Sequence, residues 1–119
     1  MEDWEIAPGC IRETVGTKQE KIAFSKPALC TGNGVKACED LYFRVQTLSP
    51  GQTQLLEVSA DTIGLISVAE GKVRVKLSNE PAFLIGTHGM IKIRPGVGGS
   101  IRNIAGSGDV VLHITTLML

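Results

Sequence analysis

Lys72, Val73, Arg74, Val75, Lys76 and Leu77 alternate charged and aliphatic side chains without a break. Successive side chains of a strand point to opposite faces, whereas a helix repeats about every 3.6 residues. As a strand this segment has one aliphatic and one charged face; as a helix it would mix the two. The same period of two recurs. Leu41, Phe43 and Val45 alternate with Tyr42, Arg44 and Gln46, and Ile91 and Ile93 alternate with Lys92 and Arg94. Residues 62–69 form a short apolar run rich in β-branched side chains, the pattern of a strand covered on both faces. Residues 83–85, 100–104 and 110–117 complete the set. Between them fall turn-formers: Ser49-Pro50-Gly51, Glu70-Gly71, Gly86-Thr87-His88-Gly89, Pro95-Gly96-Val97-Gly98-Gly99 and Gly106-Ser107-Gly108. No stretch carries a helical period. Short strands separated by such turns predict an all-β sandwich or barrel.

The first forty residues are less regular. Trp4 to Ile6 and Lys21 to Phe24 are the strand candidates there, and the segment from Pro27 to Asp40 is expected to be loop around Gly32-Asn33-Gly34. We divide the chain into a β extension at 1–40, packed on the barrel, and a barrel at 41–119, one domain overall. A chain of 119 residues can bury a single core. With hydrophobic residues at 43% and aromatics at 4%, that core must be mostly aliphatic.

Charge excludes some functions. Lys plus Arg number 12, Asp plus Glu also 12, and no dense basic run occurs. The electrostatic footprint of a nucleic-acid binder is therefore not expected of this domain, and near-neutrality offers no barrier to self-association. Three cysteines, Cys10, Cys30 and Cys38, form no Cys-x-x-Cys, so neither a disulfide framework nor a zinc site is expected, and a reducing compartment suits them. No apolar run reaches the ~18 residues of a membrane span, and the acidic Met1-Glu2-Asp3 start is unlike a signal peptide.

The glycines are spaced. Gly51 is followed after five residues by Glu57-Val58-Ser59, after four more by Gly64, and after six more by Gly71. Gly89 is followed after five residues by Pro95, and Asn103 closes the segment. This resembles the two-part signature of the cupin superfamily, the jelly-roll or double-stranded β-helix barrel. The generic signature places three histidines and a glutamate inward to hold a metal. Here the corresponding positions are Glu57, Ser59, Gly64 and either Gly99 or Ser100, because the loop before Asn103 is one residue short. A lone carboxylate does not hold a transition metal, which takes three or four protein ligands. We expect no metal, no cofactor and no catalytic residue. The resemblance directs Ile66, Val68, Val73, Val75, Ile91 and Ile93 into the barrel and turns Ile63 and Leu65, which bracket Gly64, outward.

A narrower likeness follows from Asp61-Thr62, the apolar strand to Val68-Ala69-Glu70-Gly71-Lys72-Val73, then Phe83, the Gly89 to Pro95 segment and Ile101-Arg102-Asn103. Over about residues 40–117 the chain resembles the C-terminal cupin domain of the centromere protein C family, an inner-kinetochore scaffold. It departs from that family in having Val97-Gly98-Gly99-Ser100 where Gly-Asn-x-Tyr is usual, and Ile66, Ser67 and Ser100 where pocket aromatics stand. The resemblance implies a non-enzymatic homodimerisation and recruitment module in the nucleus, at the centromere and kinetochore. Its partners would be a second copy of itself, with Ile63 and Leu65 as interface candidates, and a kinetochore or centromere protein. DNA binding would belong to a full-length protein, not to this domain. The alternative is a metal-free cupin that binds a small molecule in its barrel, as a sensor or degenerate enzyme.

Other features have plainer readings. His88 is expected as an exposed turn residue, and His113 as a hydrogen-bonded interior or interface residue. Glu57 is expected at the barrel mouth without a partner for acid–base chemistry. Gly96 to Gly99 has no following helix or Lys-Ser/Thr and is expected to be a barrel turn rather than a phosphate loop. Lys72, Arg74 and Lys76 are expected to form a solvated strand face.

Overall fold

The computed structural model describes residues 13–15, 18–20, 24–32, 34–56 and 58–119. Trp4 to Ile6, Lys21 to Ala23, Cys10 and Glu57 lie outside them, as does the start of the chain. The elements in order are β1 (Glu13–Val15), β2 (Lys18–Glu20), α1 (Lys26–Leu29), β3 (Val35–Cys38), β4 (Leu41–Leu48), β5 (Thr53–Leu56), β6 (Thr62–Glu70), β7 (Lys72–Leu77), β8 (Phe83–Gly86), β9 (Met90–Ile93), β10 (Gly99–Asn103) and β11 (Val110–Met118).

β1 and β2 pair as a two-stranded sheet of their own. The others build two antiparallel sheets, one in the order β5-β10-β7-β8, the other β3-β4-β11-β6-β9. β3 pairs with β4, so the second sheet begins before residue 41 and a hairpin crosses the expected division of the chain. α1 and β3 replace loop expected from Pro27 to Asp40, and β5 adds a strand that periodicity did not mark. Phe24 lies outside any strand.

The two sheets close on an aliphatic core. Leu48, Val68, Val73, Val75, Ile101, Val110 and Leu112 are fully buried, with Ile66, Ile91, Ile93 and Ile114 nearly so. The strict alternation of β7 puts Val73 and Val75 inside and Lys72, Arg74 and Lys76 in water. Two glycines of the spacing pattern are needed for different reasons. Gly71 has φ +103°, and a Cβ there would lie 2.6 Å from the Val110 side chain. Gly89 has no positive φ, but a Cβ would run into the Ile85 side chain and come within 3.0 Å of the Gly86 carbonyl oxygen. The turn it closes is pinned to β6: the His88 amide donates to the Val68 carbonyl at 2.7 Å, and the Val68 amide donates to the Gly89 carbonyl at 2.8 Å.

Candidate functional site

The barrel has unlike ends. At one, Asn103 is fully buried. Its Nδ2 donates to the Leu48 carbonyl at 2.9 Å and the Gly108 carbonyl at 3.1 Å, and its Oδ1 accepts from the Ala105 amide at 2.8 Å. Its backbone also pairs with Gly51 and Gln52. One side chain thus ties the end of β4 to the turn between β10 and β11, and that end is sealed.

At the other end lies a cavity of about 650 Å³. Its wall mixes Ile66, Ile93 and Ile114 with Tyr42, Arg44, Arg94, Ser59, Thr62 and Thr116. Tyr42 and Arg44 reach it from β4. Register with β11 sets Arg44 opposite the buried Ile114 and Gln46 opposite the buried Leu112, so the polar half of β4 faces inward. Arg44 Nη1 donates to Gln46 Oε1 at 3.0 Å. Neither Arg44 nor Arg94 has a carboxylate partner among the described residues.

The candidate ligand positions fall around this cavity. Ser59 and Gly64 line it. The Ser59 hydroxyl accepts from the Asp61 amide at 3.3 Å, and its carbonyl accepts from the Gly96 amide at 2.6 Å, so it serves its own loop. Of the two alternatives on β10, Gly99 is in phase with the buried Ile101 and Asn103. Ser100 falls on the opposite side, between Leu55 and Lys76. A Cβ at Gly99 would overlap the Lys76 carbonyl oxygen, so no ligating side chain can be accommodated there without moving β7. Among the described residues no three His, Cys, Asp or Glu side chains come together. A hydroxyl engaged in its own loop and two glycines, one of them sterically closed, do not fit a cupin metal.

Ile66, Val68, Val73, Val75, Ile91 and Ile93 all lie in the buried core. Ile63 and Leu65 lie on the outside of the five-stranded sheet, half-buried. Register gathers apolar and polar residues beside them, with Lys92 of β9 directly opposite Leu65. Leu65 pairs with Thr115, which pairs with Phe43; Ile63 pairs with Leu117, which pairs with Leu41. His113 corrects the interior half of its expectation: it is exposed on this outer face, edge-on to Phe43 with ring centroids 5.6 Å apart. His88 is an exposed turn residue with φ 71°. Gly96 and Gly98 lie in the turn before β10, and Lys72, Arg74 and Lys76 are exposed. Cys30 and Cys38 are free and exposed.

No family model matches the chain. No curated protein matches it either. Solved structures do. The Schizosaccharomyces pombe Cnp3 cupin domain aligns with TM-score 0.72 and 20% identity over 86% of this chain and 72% of that one. The fold is that of the cupins. A double-stranded β-helix protein from Klebsiella pneumoniae aligns at TM-score 0.69 and 17% identity, covering 83% of this chain and 91% of its own. An oxalate oxidase, an enzyme, aligns at TM-score 0.61 and 10% identity over 67% of this cupin fold, which spans 43% of the oxidase.

Proposed function

We propose that this cupin domain is a non-enzymatic homodimerisation and recruitment module of a centromere scaffold. The observation that carries the reading is the inverted β4. A barrel that stands alone in water places apolar side chains inside and polar ones outside. β4 does the reverse: Tyr42, Arg44 and Gln46 face inward, Tyr42 and Arg44 lining the mouth, while register turns Leu41, Phe43 and Val45 to the outer face with Ile63 and Leu65. Such a face asks for a cover, and a second copy supplies an identical one across a two-fold axis. The likeness to the centromere protein C domain over residues 40–117, and a backbone alignment to the Cnp3 cupin domain over most of the chain, support placing the module in a nuclear scaffold at centromere and kinetochore. Sedimentation equilibrium at tens of micromolar tests it: a dimer is expected, and a monomer ends the dimerisation half of the reading.

The cavity supports a second reading, a metal-free small-molecule binder. Two guanidinium groups, a phenol and hydroxyls around an apolar floor suit a small carboxylate. On this reading a panel of aliphatic and aromatic carboxylates raises the melting temperature of the unmodified domain and leaves Arg44→Ala unmoved. A panel without effect on either removes it.

A further inference from the structure

The outer face of the four-stranded sheet has the most one-sided charge of any face among the described residues. Alternation and register place Thr53 and Leu55 of β5, Ser100 and Arg102 of β10, Lys72, Arg74 and Lys76 of β7, and Leu84 of β8 on it. Among the described residues it carries no Asp or Glu, although the chain as a whole has as many acids as bases. Arg102 is the direct cross-strand partner of Arg74. Like charges set opposite each other weaken a strand pair, and no acid among the described residues of this face offsets the cost. Lys76 is turned toward the carbonyls of Leu77 and Glu80. Lys72, Arg74 and Arg102 form no ion pair among the described residues.

Two leucines flank the cations. Leu84, 55% exposed, sits directly opposite Arg74 on one side; Leu55, 72% exposed, sits opposite Ser100 on the other. The row Thr53, Arg102, Arg74, Leu84 crosses all four strands, about 14 Å at the usual ~4.8 Å strand spacing. Along β7 the cations recur every second residue, about 6.7 Å apart, which is also the same-face spacing of an extended peptide.

We propose that this face docks an extended acidic peptide segment of a partner protein, one that also carries apolar side chains. The choice of peptide over nucleic acid follows from the leucines, which have nothing to bury against a phosphodiester. It follows too from the lack, among the described residues, of any aromatic side chain on this face for base stacking. The face lies across the barrel from Ile63 and Leu65, so peptide and second copy can be held together. The inference rests on the recruitment half of the proposed function and gives it a place and a partner chemistry.

The test is selection of a displayed library of random 12-residue peptides on the whole domain, followed by titration of the enriched peptides. The enriched sequences are expected to be net acidic with at least one large apolar residue. The double variant Arg74→Ser, Arg102→Ser should weaken them at least tenfold, Leu84→Ser several-fold, and Lys36→Ser not at all. Failure to enrich any peptide overturns the proposal, as do enriched peptides without acidic excess or equal binding by the double variant. So does tighter binding of a 12-nucleotide single strand or a 20-base-pair duplex than of any peptide. Should the double variant unfold, Arg102→Glu, which sets opposite charges across β10 and β7, provides a folded protein for the same titration. Weaker peptide binding by it is expected, and equal binding overturns the proposal. Sedimentation of the same samples reports the dimer separately: a dimer that takes no acidic peptide sinks the docking face alone, and a monomer that takes it sinks only the dimer.

Discussion

Asn103 shows how much one side chain can hold. Three hydrogen bonds from a fully buried amide reach β4, the turn after β10 and its own loop. Leucine at this position would keep the branched outline and leave two carbonyls and one amide without their present partner. We expect Asn103→Leu to cost about 3 kcal/mol, read from the urea unfolding midpoint. Gly71→Val meets a different obstacle, a backbone at φ +103° and a Val110 methyl in the way. A loss of about 1–3 kcal/mol is expected in the same assay, and an unchanged midpoint would contradict the assignment of this turn. Both residues stand out in the sequence by spacing alone. What they do does not, because Leu48 and Val110 are distant along the chain and meet them only after folding. The same limit applies to Gly99: its spacing from Asn103 marks a ligand position, but only the approach of the Lys76 carbonyl shows that the position is closed.

Strands are legible where side chains alternate by polarity and illegible where they do not. β7, β9, β6 and β11 follow the apolar pattern closely. α1 and β3 span four residues each, too few for any period to emerge, and β3 is held by pairing with β4 rather than by its own composition. β4 is the instructive element. Its alternation is plain, but alternation does not say which face is inside. Pairing with β11 decides it, since Leu48 must join Val110 in the core. That choice carries Phe43 and Val45 outward beside Leu65. Leu65→Asp places a charge at the centre of this face without touching the core. A change from dimer to monomer is expected by sedimentation, with the interface it removes burying upwards of ~1,200 Å² in total. If monomers cannot stand alone, the variant unfolds instead. A folded Leu65→Asp dimer would move the interface off this sheet.

At the scale of the molecule, the cupin architecture is present without a cluster of metal-ligating side chains among the described residues. The frame of turns is kept while the donor set is not, so elemental analysis of purified protein is expected to find far less than one transition metal per chain. About one per chain would restore a metal-centred reading and displace the scaffold. That architecture is recoverable from glycine spacing because turns constrain backbone and backbone tolerates few residues. Function is less so, because a surface is made of residues brought together by register. The contrast between the sealed and open ends has a further consequence. Opening of a folded protein is not uniform, and amides leave protection in cooperative groups according to how much packing each must break. Leu48, Val110 and Asn103 belong to the group that opens last. Residues around Tyr42, Thr62 and Thr116, with a 650 Å³ cavity in place of a core, belong to one that opens earlier. In deuterated buffer the barrel should therefore take up label from the mouth inward, so that the mouth can rearrange around a guest while the Asn103 end keeps its slowest protons.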